Sequence, residues 1–458
     1  MNRAAPTPKR AALACHEDHR VDEGWTMDDQ RPLLERHRAV MPSWVTLYYD
    51  EPIALDRGEG RYVWDTDGRR YLDFFGGILT TMTGHAVPEV VEAIRRQADK
   101  MLHSSTLYMI EPAITLAEEI ARLSPIDDAK VFFVNSGTEA IEAALLLATT
   151  SRRSNQIIAL RNSFHGRSFA AVGITGQRGW SASSLSPVHV SYVQNGYRYR
   201  SPFGHLSDTD FIAACADDLR NIIETTTAGD VACMIAEPIQ GVGGFAIPPD
   251  GFFRAMADVL NEYGIPFVSD EVQTGWGRTG EHFWGIEAHD VVPDMVTFAK
   301  GLGNGLALAG VMARPEMMDC IQANSISTFG GNPLACAGGL ANLEHLLSHD
   351  LQTNARKVGE HLVTHLRELG DRTPNIGEVR GKGLMIGIEL VEPGGKKPDM
   401  ATAAAVMEET KARGLLVGKG GLYNNVLRLA PPLSLTLEEA DEGLRLLTDS
   451  FEAATSGR

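Results

Sequence analysis

Met295-Val296-Thr297-Phe298-Ala299-Lys300-Gly301-Leu302-Gly303-Asn304-Gly305 is an apolar run that stops at an amine and breaks into a glycine-rich turn. Upstream, Ile265-Pro266-Phe267-Val268-Ser269-Asp270 is a second such run, and it stops at a carboxylate. Short apolar runs with breaks at their ends read as buried strands. The pattern recurs at Val131 to Val134, Ile157 to Leu160 and Val231 to Ala236, alternating with helical stretches from about Pro88 onward. That rhythm predicts an α/β fold on a largely parallel sheet. In such sheets the ligand lies beyond the carboxyl ends of the strands, and here the polar candidates follow the ends of the runs.

Outward from this centre, Arg61-Tyr62-Val63-Trp64-Asp65 and Arg70-Tyr71-Leu72-Asp73-Phe74 flank Asp67-Gly68 and predict a β-hairpin. After Gly330-Gly331-Asn332-Pro333 come a small-residue helix, a long amphipathic stretch and two strand-like runs, Leu384 to Leu390 and Val426 to Leu429. The expected division is an N-terminal segment and hairpin over 1–75, a large domain over 76–332 and a smaller α+β domain over 333–458, with the hairpin packing on the last. With 458 residues, 43% of them hydrophobic, the chain is long enough for more than one domain. Its formal charge of -17 argues against nucleic acid as a partner, since phosphate binding needs a basic face. No apolar stretch reaches the roughly 18 residues of a membrane span, and Met1 to Arg20 lacks the apolar core of a signal peptide. Cys15, Cys215, Cys233, Cys320 and Cys336 show neither disulfide nor zinc spacing, so no metal is expected and a reducing cytoplasm is the simplest location.

An amine held against apolar side chains loses solvation of its charged form, so its pKa falls and it can attack an aldehyde. A nearby carboxylate can keep a ring nitrogen protonated. Lys300 and Asp270 therefore supply the protein's share of pyridoxal phosphate chemistry. Ser136-Gly137-Thr138-Glu139 fits a capping box at a helix start, where free amides can bind phosphate; the same motif also describes an ordinary capped helix. Phe164, in Phe164-His165-Gly166-Arg167, could lie on a flat ring or simply fill core. Glu237 could order a polar network or meet solvent, and Gln273 could donate to a phenolate oxygen or sit on the surface. Asp270 is costly to bury without a cationic partner, and a pyridinium nitrogen would serve. The Thr328 hydroxyl could meet a phosphate or stabilise its loop.

Across about Tyr48 to Leu435 the chain resembles the class III, or ω-, aminotransferases of fold-type I pyridoxal phosphate enzymes. The resemblance rests on Ser136-Gly137-Thr138, Phe164-His165-Gly166, Glu237-Pro238-Ile239-Gln240-Gly241, Asp270-Glu271-Val272-Gln273-Thr274-Gly275, Ala299-Lys300-Gly301 and Thr328 to Pro333. It implies a large domain with a mixed, mostly parallel seven-stranded sheet and a smaller α+β domain. It also implies that Lys300 carries the cofactor, Asp270 pairs with the pyridine nitrogen, Phe164 stacks on the ring and Gln273 binds the phenolate oxygen. Ser136, Gly137, Thr138, His165 and Glu237 complete the cofactor site, with Thr328 supplied by the other subunit of a homodimer or dimer-based tetramer.

Within the family, Leu72-Asp73-Phe74-Phe75-Gly76-Gly77-Ile78, Gln240-Gly241-Val242, His282-Phe283-Trp284-Gly285 and Gly381 to Gly387 look most like the alanine–glyoxylate/3-amino-2-methylpropionate–pyruvate branch. By that resemblance Arg428 grips a substrate carboxylate, with Ile78 and Arg167 as further substrate contacts. The 4-aminobutyrate and ornithine branches carry a glutamate that neutralises this arginine, where this chain has Val242. The expected reaction moves an amino group from alanine or a β-amino acid to pyruvate or glyoxylate. A 2-oxoglutarate enzyme stays open because of Arg167, as do a biosynthetic aminotransferase and an aminomutase; a nicotinamide dehydrogenase lacks its glycine motif.

Overall fold

The computed structural model of the protein describes residues 32–456. Cys15 and the stretch Met1 to Arg20 lie outside the described residues. By contacts the chain forms two units, 1–54 and 55–458. The described part of the first holds the helix Leu33–Val40, which buries no residue. The second holds all the strands named below.

Its first strands are β1 (Leu55–Glu59), β2 (Tyr62–Asp65) and β3 (Arg70–Asp73), joined antiparallel. The expected hairpin is β2 with β3. Its turn is held by Asp65 Oδ1, which accepts from the amides of Asp67 and Arg69, while Gly68 takes a φ of +82°.

The central sheet comprises β4 (Lys130–Val134), β5 (Gln156–Leu160), β6 (His189–Val193), β7 (Cys233–Ala236), β8 (Phe267–Asp270), β9 (Met295–Phe298) and β10 (Ala309–Ala313). Among the described residues these seven strands lie in the order β4-β10-β9-β8-β7-β5-β6. Only β10 runs antiparallel to its neighbours. Strands β7, β8 and β9 are buried at every position, which explains their unbroken apolar sequences. The apolar runs did not reveal β6 or β10. At the edge of the sheet, β6 mixes His189 and Ser191 with apolar residues. The sequence of β10 is Ala-Gly-Val-Met-Ala, rich in residues that strands disfavour. Gly310 is needed there by packing, since a Cβ would lie 2.6 Å from both the Phe132 carbonyl and the Phe298 ring. The helix Gly137–Arg152 buries Ile141, Ala144, Leu145 and Ala148 in one cluster with Ile157, Val268, Met295 and Val311 of the sheet.

Beyond the helices Pro333–Ser348 and Leu351–Arg372, the chain forms β11 (Ile376–Lys382), β12 (Met385–Leu390), β13 (Leu415–Leu416), β14 (Gly418–Gly420) and β15 (Val426–Leu429). Strands β11-β12-β15-β14 make an antiparallel sheet, and β13 pairs parallel with β3. A seven-stranded mostly parallel sheet beside a smaller α+β assembly is the expected fold class. Among the described residues no helix is long and apolar enough to cross a membrane.

Asn332 caps the helix Pro333–Ser348 by accepting from the Ala335 amide at 2.9 Å. Asn332→Ala is expected to destabilise the protein by about 1 kcal/mol. A lowered urea midpoint, absent in Asn332→Asp, is the measurement that checks it.

Candidate active site

The segments that follow β4, β5, β7, β8 and β9 meet around one cavity of about 350 Å³. Ser136, Gly137, Thr138, Phe164, His165, Arg167, Glu237, Asp270, Gln273 and Lys300 all line it. Ile78 and Thr328 do not line it and are exposed. Arg428, also outside the lining, is buried on β15 and donates through Nη1 to the Gly241 carbonyl at 3.2 Å.

Lys300 follows β9 in a left-handed backbone conformation, φ +43°, which a side-chain-bearing residue adopts only under constraint from its surroundings. Its side chain is partly exposed by surface area because it borders the cavity, yet it is enclosed by protein. Loss of solvation lowers the pKa of the amine below the usual lysine range; Asp270 and Glu237 pull it back up, and Arg428 pushes it further down. Lys300 is thus poised to lose a proton and act as a nucleophile.

Asp270 is buried at the end of β8, and its Oδ2 lies 2.7 Å from His165 Nδ1. Its Oδ1 accepts from the Val272 amide at 3.1 Å and the Thr297 hydroxyl at 3.5 Å. The protein thus supplies Asp270 with hydrogen-bond partners of its own. Glu271, next in sequence, serves elsewhere: it accepts from Ser269 and Thr274 and from the amides of Gly285 and Ile286. Burial raises its pKa to about 7 against those hydrogen bonds.

Glu237 neither meets solvent nor ends the network idly. Its Oε1 accepts from the Phe164 amide at 2.9 Å and its Oε2 from the Gly241 amide at 2.8 Å, so one carboxylate ties the aromatic loop to the loop after β7. Burial raises its pKa to about 7, with His165 lowering it and Asp270 raising it. The expected capping box is half formed. Ser136 Oγ accepts from the Glu139 amide at 3.4 Å, but Glu139 reaches back to the Asn135 amide instead of that of Ser136. The Thr138 hydroxyl accepts from the amides of Arg167 and Ser168 at 3.2 and 3.0 Å, which draws the loop bearing Phe164 against the helix start. Gly166, at φ +133°, permits this approach, because a Cβ would lie 2.5 Å from Thr138 Oγ1.

Two buried polar atoms in this wall lack a partner: His165 Nε2 and Gln273 Oε1. Gly241 lets the Gln273 amide approach the backbone, since a Cβ would sit 2.2 Å from Oε1 and turn that side chain aside. With free first-turn amides at Gly137 and Thr138, the wall offers an anion cradle, a carboxylate, an aromatic face and an amine. Those features fit pyridoxal phosphate. Sequence reading missed Thr297, which braces Asp270, and Glu142, which accepts from Ser168 and the Ala170 amide. A threonine inside an apolar strand run, directly opposite Asp270 in the β8–β9 register, was the available signal for the first.

The family model described as "Aminotransferase class-III" matches residues 47–451. An Arabidopsis thaliana protein named alanine–glyoxylate aminotransferase 2 homolog 2, mitochondrial, is 41% identical over 89% of this chain and 84% of its own. The Escherichia coli 4-aminobutyrate aminotransferase GabT is 35% identical over 93% of this chain and 100% of its own. An amine transaminase from an uncultivated Pseudomonas species, solved in its PLP-bound form, superposes with a TM-score of 0.82 at 30% identity, covering 91% of this chain and 97% of that one.

In cofactor-free protein, capture of Lys300 by a small aldehyde and borohydride is expected to reach half its maximum at a lower pH than capture of the free amino acid lysine's side chain. Asp270→Asn should lower that pH further, because Asp270 stabilises the charged amine. Peptide mass spectrometry across a pH series checks both directions.

Proposed function

The chain belongs to the class III aminotransferases, pyridoxal phosphate-dependent enzymes that transfer amino groups, and on that footing we propose how its residues divide the work. The observation that carries the reading is the convergence of a desolvated Lys300 and a buried Asp270 on one cavity. Pyridoxal phosphate, when bound, supplies an aldehyde and an electron-withdrawing ring. Lys300 Nζ would hold the cofactor by that aldehyde and, as a free amine, would serve as the general base and acid that moves the substrate's proton. Asp270, oriented by His165, would keep a proton on the ring nitrogen. Phe164 would pack on the ring face, and Gln273 would donate through Nε2 to the phenolate oxygen. Ser136, Gly137 and Thr138 hold the phosphate at the helix start. Glu237 sets the loops on either side.

Thr328 belongs to the site of a second copy in this reading. In support, Thr328 and Phe329 are exposed on a loop braced by Ser327, and the neighbouring Leu107, Tyr108 and Met109 present a large apolar surface. A homodimer, alone or paired as a tetramer, would cover that surface. The working division remains 1–75, 76–332 and 333–458, supported by the β3–β13 pairing. A cytoplasmic setting agrees with Cys215, Cys233, Cys320 and Cys336 being free thiols.

For substrates, Arg428 is the carboxylate anchor, with Ile78 as a further contact. Val242 is buried in the loop that the Arg428 guanidinium holds, where an acidic residue would compete for it. This favours alanine or a β-amino acid as donor and pyruvate or glyoxylate as acceptor. The position of Arg167 on the cavity wall supports a second reading, a 4-aminobutyrate-type enzyme using 2-oxoglutarate.

Lys300→Ala is expected to abolish both turnover and the near-visible absorbance of lysine-bound cofactor; full activity would sink the assignment. A donor-by-acceptor screen of alanine, β-alanine and 4-aminobutyrate against pyruvate, glyoxylate and 2-oxoglutarate decides the substrates. Turnover with 2-oxoglutarate alone overturns the use made of Val242, and product formed without any oxo acid points to an aminomutase. Arg428→Lys should raise KM for the preferred oxo acid about tenfold or more, through loss of a bidentate pair.

A further inference from the structure

Arg428 does not stand alone. Its Nη1 donates to the Gly241 carbonyl and its Nε to the Lys419 carbonyl at 3.1 Å. The guanidinium carbon lies 5.1 Å from the centre of the Phe75 ring and 5.5 Å from that of Phe245. Two of these four contacts, the Gly241 carbonyl and the Phe245 ring, belong to one short loop after β7.

That loop is closed at its base by Gln240 and Ala246, whose amides donate to each other's carbonyls at 3.1 and 3.2 Å, and Phe245 sits in it at a left-handed φ of +53°. Above that bridge its carbonyls from Val242 to Phe245 are held by other parts of the chain. Gly421 donates its amide to the Val242 carbonyl at 2.9 Å, and Asn162 Nδ2 donates to the Gly243 carbonyl at 3.3 Å. Arg380 of β11 takes the rest: Nε donates to Gly244 at 3.1 Å and to Phe245 at 3.0 Å, and Nη2 donates to Gly244 at 2.6 Å. A buried guanidinium needs a counter-charge. Glu389 of β12 provides it, with Oε2 at 3.1 Å from Arg380 Nη2, and is itself fixed by the Tyr197 hydroxyl at 2.5 Å, by Arg200 at 2.6 Å and by Asn425 at 3.0 Å. Glu378 adds a contact to Nη1 at 2.5 Å. Neither Arg380 nor Glu389 lines the active-site cavity.

We propose that Arg380, balanced by Glu389, is a positioning residue for substrate recognition: by fixing the Gly244 and Phe245 carbonyls it sets the loop that orients the Arg428 guanidinium toward a substrate carboxylate. The proposal rests on Arg428 being the carboxylate anchor. It assigns to strands β11 and β12 a role in specificity that they exert without touching substrate. Gly387, cross-strand from both Arg380 and Arg428, gives a second handle on the same contact: a Cβ there would lie 2.7 Å from the Gly244 carbonyl and 3.3 Å from Arg380 Nε, crowding the pair without altering any charge.

The test uses the holoenzyme and two probes that capture the cofactor whatever the natural substrate is: aminooxyacetate, which carries a carboxylate, and methoxyamine, which does not. The ratio of their capture rates, followed by absorbance, reads carboxylate recognition alone. Arg380→Lys and Gly387→Ala are each expected to lower this ratio about tenfold, the scale of a lost charge-assisted contact, while methoxyamine capture and the absorbance of bound cofactor stay as in the parent. Arg428→Lys should lower it at least as far, and adding Arg380→Lys to Arg428→Lys should change little more, as expected of residues acting through one another. The proposal is overturned if Arg428→Lys lowers the ratio but Arg380→Lys and Gly387→Ala leave it within about twofold, or if the double variant is additive. An unchanged ratio in Arg428→Lys refutes the anchor reading first and the proposal with it. Loss of bound cofactor in both Arg380→Lys and Gly387→Ala would show a general structural role and also overturn it.

Discussion

A carboxylate at the end of an apolar strand must find a positive or hydrogen-donating partner, and the structure around Asp270 is arranged to meet that demand. One oxygen faces His165, and the other takes the Val272 amide and the Thr297 hydroxyl. Those partners come from three separate stretches of chain. Satisfying one buried charge therefore fixes the loop after β5 and the turn after β8 against β9. The same loop carries Phe164, and its glycine allows contact with Thr138, so the helix start falls into place with it. Glu237 extends the network by joining Phe164 to Gly241.

The low-dielectric setting that makes Asp270 demanding also makes Lys300 reactive. Desolvation pushes an acid's pKa up and an amine's down, and Glu237 and Lys300 move in those opposite directions within one cavity. Asp270 and Glu237 limit how far Lys300 departs, and His165 with the Phe164 and Gly241 amides limits Glu237. The charged frame is thus a compromise, in which enough burial sensitises the amine and enough hydrogen bonding keeps Asp270 in place.

Much of this was legible in the chain. Strands β4, β5, β7, β8 and β9 appear as apolar runs because both faces of the central sheet are covered, and covered strands need no alternation. Lys300, Asp270, Glu237 and Ser136 stand out because polarity begins abruptly where a run stops. Strands β6 and β10 were not legible, since an edge strand with polar positions and an Ala/Gly strand look like connecting segments. Nor was the true partner of Glu139, because one residue's difference in the cap depends on how β4 delivers Asn135.

Sequence by itself determined the chemistry: an amine and a carboxylate at successive strand ends, with a phosphate-sized helix start, specify the class of cofactor through residue type and order. Tertiary structure alone decided who serves whom. His165 faces Asp270 across 105 positions of sequence. Arg380 reaches the Gly244 carbonyl across 136. Hydrogen bonds are directional and short, so such pairings exist only once packing has brought the backbones within about 3 Å of contact. Residue spacing carries no trace of them.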